Sequence, residues 1–249
     1  MFDAPVASDK PPTLPRTPLP FLEQVTKLPT DYLPDGVNVW QVTLTAEIDQ
    51  SAQDEQPLYP LLLQLNAEER HRCLRYRRPV DRIRFAVMRI VLRELLAQHV
   101  QQAAQSLQFV HGPFGKPGLA QAGTTLQFNI SHSEHIGLIA LSTQRAIGVD
   151  VEAVYPLRNQ QFLLKDILSL EEQRYCVQSQ QDSAFFQCWT GKEAILKALG
   201  TGIQQPLSSI SILPTATCAY TVSLRDQLPT LQVWQLPVAD GYTAALALL

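Results

Sequence analysis

Asp150 and Glu152 stand two residues apart in I-G-V-D-V-E-A-V, alternating with Val149 and Val151. On a strand, that spacing turns both carboxylates to one face and both valines to the other. Two acids on one face are costly against a core unless positive charge meets them there. A third acid, Glu193, lies in W-T-G-K-E-A-I-L-K, four residues before Lys197. On a helix those two side chains sit one above the other, and in isolation they would be a surface pair worth roughly 0.2–0.5 kcal/mol. With the acidic strand as its companion, the set predicts a hard divalent cation, magnesium, held by Asp150, Glu152 and Glu193. Such a cation keeps positions open for water or phosphate oxygens, so metal-assisted chemistry at phosphate is the expectation.

These side chains need a helix and a strand to hold them. Ala194, Ile195, Leu196, Ala198 and Leu199 give Trp189 to Leu199 a helical pattern, and Gly200 is a natural C-terminal stop. Gly148 to Val154 is the acidic strand, and Val37 to Leu44 alternates as an earlier one, with Val37, Val39 and Gln41 on one face. The polar stretch 49–56 reads as a loop. A helical region runs from Leu65 to Ala97, opened by a capping box of Asn66 with Glu69. Pro79 divides it into a short helix to about Tyr76 and a longer one from about Val80. That region carries nine of the fourteen arginines: Arg70, Arg72, Arg75, Arg77, Arg78, Arg82, Arg84, Arg89 and Arg93. They read either as a solvated basic face or as a surface for phosphate or an acidic partner. Phe109 to Gly118 has the Gly and Pro punctuation of a tight loop presenting Lys116. Gln127 to Ile130 and Ile136 to Leu141 read as two strands joined around Ser131, His132 and Ser133. His132 is either a plain turn histidine or a hydrogen-bond donor to a phosphoryl oxygen.

The chain also resembles itself. Laid from Leu65 onto Leu168, it places Glu68 on Glu171, Glu69 on Glu172 and Cys73 on Cys176, and both segments start with a capping box, the second formed by Ser169 with Glu172. The same register carries on to Leu96 over Leu199 and sets Ile90 opposite Glu193. Each half closes on a similar apolar strand, Ile136 to Leu141 and Tyr242 to Leu248. The expected fold class is therefore α+β, with two similar halves related by a pseudo-twofold, each a long helix on a small antiparallel sheet. Residues 1–20, rich in proline, form a flexible leader; 21–145 form the Arg-rich half; 146–249 form the half with the acidic site. The active site is expected in the cleft between the halves.

Composition narrows the field. A formal net charge of −3 does not favour nucleic acid or an anionic membrane, and no apolar run is long enough to span a bilayer. Cys73, Cys176, Cys188 and Cys218 form neither a C-x-x-C nor a cluster with histidine, and read as reduced thiols of a cytoplasmic protein. The prolines and Asp3 at the start do not make a secretory signal.

G-V-D-V-E, followed about forty residues on by W-T-G-K-E-A-I-L-K, resembles the signature of the Sfp-type 4'-phosphopantetheinyl transferases. G-K-P at 115–117 and F-N-I-S-H-S at 128–133 extend the resemblance in the family's order, from the middle of the chain to Gly200. It implies magnesium-dependent transfer of the phosphopantetheine arm of coenzyme A to a serine of an acidic acyl or peptidyl carrier protein. Glu193, or a water held on the metal, would be the base, and Lys197, with Lys192 as a further candidate, would pair with phosphate oxygens. The resemblance also places Lys116 and Pro117 near the adenine and diphosphate, and Ser131 and His132 on the phosphates. Glu69 stands where relatives carry a phosphate-binding lysine, which leaves Arg72, Arg77, Arg78 and Arg84 to hold the ribose phosphate, with Arg72 and Arg84 favoured. Phe162 and Leu163 would seat an apolar helix of the carrier, or serve as plain core. Length and duplication are similar to the broad-range branch, a monomer that mimics the dimer of the single-unit synthases, and the Pro- and Gln-rich texture is similar to cyanobacterial members. A nucleic-acid binder would explain the arginines but not three converging acids. A metal-dependent phosphohydrolase would explain acids and phosphate ligands together and is the runner-up.

Overall fold

The structure, a computed structural model, describes residues 19–53, 57–120, 124–157, 161–202, 206–224 and 231–249. The expected leader falls almost wholly outside the described residues. In chain order the elements are β1 (Leu22–Lys27), β2 (Val37–Leu44), a 3-10 stretch (Ala46–Gln53), α1 (Leu58–Leu62), α2 (Ala67–Leu74), α3 (Pro79–Val100), β3 (Phe109–His111), β4 (Pro117–Leu119), β5 (Gln127–Ser133) and β6 (Ile136–Ser142). Then come β7 (Ile147–Ala153), α4 (Gln161–Ile167), α5 (Leu170–Ser179), α6 (Asp182–Leu199), β8 (Ile210–Pro214), β9 (Tyr220–Leu224), β10 (Gln232–Gln235) and β11 (Tyr242–Leu248). The class is α+β, and both halves of the sequence supply helices and antiparallel strand pairs. Two expectations are corrected: the stretch from 49 onward is 3-10 helix as far as Gln53, and Ser131 to Ser133 continue β5. The β5–β6 turn falls instead on Glu134 and His135, with Glu134 at φ 46°.

Two compact units emerge. Of the described residues, the first takes those within 19–27, 42–108 and 120–124, and the second those within 28–41, 109–119 and 125–249. In the first unit α3 is the central element, buried around most of its circumference, with α1, α2 and the 3-10 stretch packed against it. Pro79 sits at its first turn, where a missing N–H costs nothing. Both capping boxes form: Glu69 N–H donates to Asn66 Oδ1 at 2.9 Å, and Ser169 N–H donates to Glu172 Oε2 at 2.6 Å. Glu69 is buried and accepts from Arg93 Nε at 2.9 Å, while Arg93 Nη1 donates to the Ala104 carbonyl at 2.7 Å.

The second unit is layered around the sheet β10-β11-β7. One face of it, with Val149, Val151, Ala244, Leu246 and Leu248, packs on Val37, Val39, Ile136 and Leu138. The opposite face, with Ala245 and Ala247, lies under α6 through Ala194, Ile195 and Ala198. The register pairs Gly148 with Ala247, Asp150 with Ala245 and Glu152 with Thr243. A strip of glycine and alanine thus lets the helix backbone come down onto the strands. Contact is closest at Gly148, where a Cβ would overlap the Ala194 carbonyl and the Ala198 amide. Gly200, at φ 68°, ends α6 by donating its N–H to the Leu196 carbonyl at 2.9 Å.

Beneath α6 lies a buried ion pair. Lys192, read from sequence as a candidate for phosphate, is 0% exposed; its Nζ reaches Glu172 Oε2 at 2.6 Å and donates to the carbonyls of Ile167, Leu207 and Ile210 at 2.7–2.8 Å. Glu172 also accepts from the Ile212 amide at 2.8 Å. Burial pushes the Lys192 ammonium down and the Glu172 carboxyl up, and each charge opposes the shift of the other. The pair anchors α5, α6 and β8 to one another. Lys192→Met would strand the Glu172 carboxylate and should cost about 3–5 kcal/mol in urea unfolding; an unchanged midpoint would show that the pair stabilises nothing. Gly148→Ala should cost about 3 kcal/mol by the same assay, because the backbone of α6 cannot move aside as a side chain can.

Candidate active site

The acidic residues meet where α6 crosses β7, all within the second unit. Asp150 and Glu152 project from β7 toward the helix, on the face opposite the two valines, as their spacing predicts. Glu193 and Lys197 come from α6, one turn apart. Lys197 Nζ lies 2.6 Å from Asp150 Oδ1 and donates to Ser131 Oγ at 2.9 Å; Ser131 Oγ in turn donates to Asp150 Oδ1 at 2.8 Å. Asp150 is 3% exposed, and its other oxygen, Oδ2, is buried with no hydrogen-bond partner among the described residues.

Strand β5 braces β7 with side chains rather than with a backbone ladder. Asn129 Oδ1 accepts from the Val149 amide at 2.9 Å, Ser131 meets Asp150, and Ser133 Oγ donates to Glu152 Oε2 at 3.0 Å while accepting from the Ala153 amide at 3.1 Å. The period of two in N-I-S-H-S puts these three polar groups on one side of the strand. That alternation was the sequence signal for Asn129 and Ser133, which residue-type reasoning passed over. Trp189 was also passed over as a polar group: its Nε1 donates to Glu152 Oε1 at 3.2 Å, and its ring stacks on Phe185 at 6.3 Å between centroids.

The other sequence candidates fall as follows. His132 is exposed on β5, on the alternate side from Ser131. Pro117 begins β4. Lys116 precedes it, and its Nζ is not presented to solvent by the hairpin; it donates to the carbonyls of Ile147 at 2.9 Å and Ala198 at 3.0 Å, and burial lowers its pKa to about 8. In the first unit Arg72 lines an open concavity of about 600 Å³ with Glu68, His71, Arg75 and Tyr76, and its guanidinium lies 5.6 Å from the centre of the Phe85 ring. Arg84 is buried there, and its Nη1 lies 2.8 Å from Asp81 Oδ1. The side chains of Phe162 and Leu163 lie outside the described residues.

Electrostatics single out the carboxylates. Burial, then the neighbouring charge of Asp150, pushes Glu152 upward, and the same two causes push Glu193 upward, with Glu152 adding to the second case. Burial also pushes Asp150 upward against the opposing pull of Lys197 and Ser131. Among the described residues, no group of three or more His, Cys, Asp or Glu side chains is already drawn together at ligand distances. The donor set nonetheless suits a hard divalent cation. It offers oxygen ligands alone, mutual repulsion that a cation would relieve, and one buried carboxylate oxygen with nothing to bind.

Residues 146–247 match the 4'-phosphopantetheinyl transferase superfamily, and residues 53–144 match the family described as 4'-phosphopantetheinyl transferase, N-terminal. The 4'-phosphopantetheinyl transferase HetI of Nostoc sp. PCC 7120 is 34% identical over 223 residues, spanning 86% of this chain and 88% of HetI. A Synechocystis protein, slr0495, provisionally named as the same kind of transferase, is 40% identical over 150 residues, spanning 59% of this chain and 61% of its own length. Among solved structures, the holo-[acyl-carrier-protein] synthase of Helicobacter pylori in complex with coenzyme A covers 41% of this chain and 96% of its own, at 22% identity and a TM-score of 0.35.

The raised carboxyls carry a stability signature. A group whose folded pKa lies above its unfolded value adds stability at low pH and loses it as pH rises through the folded value. Without divalent cations, Glu193→Gln should therefore melt at or above the parent at about pH 8, with the margin shrinking toward about pH 4. Thermal unfolding across that range is the check, and a variant less stable than the parent at the alkaline end contradicts the electrostatic account.

Proposed function

Because this chain belongs to the 4'-phosphopantetheinyl transferase family, we infer that it moves the 4'-phosphopantetheine arm of coenzyme A onto a serine of apo carrier proteins. The observation that carries the reading is the convergence of Asp150, Glu152, Glu193 and Lys197 where α6 crosses β7, with Asp150 Oδ2 buried and unpartnered. The serine oxygen forms a bond to the β-phosphorus of coenzyme A, the bond from that phosphorus to the bridging oxygen breaks, and adenosine 3',5'-bisphosphate leaves with the electron pair. Magnesium, when bound, neutralises charge on the diphosphate in the transition state.

The residues divide the remaining work. Asp150, Glu152 and Glu193 would supply the oxygen ligands, with Asp150 Oδ2 available without breaking an existing bond. Glu193, or a water held on the metal, would take the serine proton, since either can reach a hydroxyl docked beside α6. Lys197, whose side chain is 28% exposed, reaches the phosphate oxygens from its place beside Asp150 and Ser131. Ser131 and His132 hold the phosphates, Lys116 and Pro117 flank the nucleotide, and Arg72 with Arg84 receives the ribose phosphate. Arg84 would have to exchange Asp81 for that phosphate, so Arg72 is the better supported of the two.

The protein acts as a monomer with its two sequence halves meeting near residue 145, and its carriers are acidic acyl or peptidyl carrier proteins. All four cysteines are free, which suits a reducing cytoplasm, and no described helix is long and apolar enough to cross a membrane.

Intact-protein mass spectrometry of an apo acyl carrier protein with coenzyme A, magnesium and this protein tests the reading. The carrier should gain one phosphopantetheine arm, and Glu193→Ala should slow the gain by at least about a thousandfold if it removes both a ligand and the base. Cleavage of coenzyme A with the carrier unmodified would make the protein a phosphohydrolase instead.

A further inference from the structure

Two buried oxygens on the helix-covered face of β7 and β11 lack partners among the described residues. One is Asp150 Oδ2; the other is Thr243 Oγ1. Thr243 stands directly across from Glu152 in the β7–β11 register, and directly opposed residues of an antiparallel pair point their side chains to the same face. The Thr243 hydroxyl therefore shares a face with Asp150 and Glu152, at the end of the small-residue strip formed by Ala245 and Ala247. Its immediate neighbour is already engaged: Glu152 accepts from Ser133 through Oε2 and from Trp189 through Oε1. A buried hydroxyl with nothing to bond costs free energy that an apolar side chain of the same shape avoids. Valine would fit a strand at this position equally well, so packing does not explain the oxygen.

We propose that Thr243 is a positioning residue of the cation site, its hydroxyl oxygen accepting a hydrogen bond from a water of the hydrated divalent ion. Magnesium gives up its water reluctantly and keeps several when bound, so a site with few protein ligands needs polar groups around those waters. A hydroxyl serves because its oxygen can accept from such a water, which a valine methyl cannot do. Groups that orient the inner ligands of a metal commonly govern affinity by ten- to a hundredfold. The inference rests on the cation site proposed above, and the two can fail separately.

Thermal unfolding of the parent, Thr243→Val and Thr243→Ser, titrated with magnesium chloride at fixed ionic strength and without coenzyme A, separates the cases. Without magnesium, Thr243→Val should melt at or above the parent, because the hydroxyl has no bond to lose. With magnesium, Thr243→Val should need about tenfold more of the ion for half of the stabilising shift, while Thr243→Ser follows the parent. A Thr243→Val protein that melts lower without the ion, or that shares the parent's magnesium midpoint, overturns the inference and leaves the cation site standing. If magnesium does not shift the parent at all, the cation site and the inference fall together.

Discussion

The approach of α6 to β7 at Gly148 is the contact on which the second unit depends. A helix normally rests on a sheet through its side chains, which holds the two backbones apart. Here a glycine on β7 and alanines on β11 remove that spacer, so the helix backbone touches the strand. The consequence is geometric. Glu193 and Lys197 project from α6, and the close approach of the two backbones brings them beside Asp150 and Glu152. Any side chain at 148 would move the acids apart and lose the convergence that makes the site.

Such closeness needs a restoring force, because the converging carboxylates repel. Burial and mutual repulsion push Glu152 and Glu193 upward, so the unliganded site works against its own packing. The opposing contributions sit on the flanks. Lys192 and Glu172 lock α6 to its surroundings through buried, fully engaged hydrogen bonds. On the other side, Asn129, Ser131 and Ser133 tie β5 to β7 through hydrogen bonds of about 3 Å, a distance typical of well-formed bonds. The acids are thereby held in place from both flanks before any charge arrives.

The sequence revealed those features whose cause is local. Alternation placed β2, and an apolar run placed β11, at the ends observed; glycine stopped α6 at 200, both capping boxes closed, and the spacing of two sorted Asp150 and Glu152 from the valines. What it hid depended on partners distant in the chain. Lys192 and Lys197 are the same residue type five positions apart on one helix, yet one faces the carbonyls of Leu207 and Ile210 and the other faces Asp150. No periodicity distinguishes them without knowing what lies opposite. Ser131 to Ser133 read as a turn; their ladder to Ile136, Gly137 and Leu138 on β6 makes them strand, and the acids of β7 give the two serines their partners. Lys116 read as a side chain presented by a tight loop, but the carbonyls of Ile147 and Ala198 draw its ammonium inward.

The internal resemblance gains a physical basis from the two capping boxes. In each, the glutamate that closes the box is buried and receives a cation from the long helix that follows: Glu69 from Arg93, with Arg89 at 3.7 Å, and Glu172 from Lys192. The sequence register that aligns Glu69 with Glu172 also aligns Arg89 with Lys192. The next residue is then Ile90 in one segment and Glu193 in the other, and Ile90 is 3% exposed. A buried cation beside the box glutamate is thus a fastening found in both segments, with Arg93, one turn after Arg89, as the closer partner in the first. With the helix fixed at that point, the adjacent position is free to be apolar, as Ile90 is in the core, or acidic, as Glu193 is beside Asp150 and Glu152.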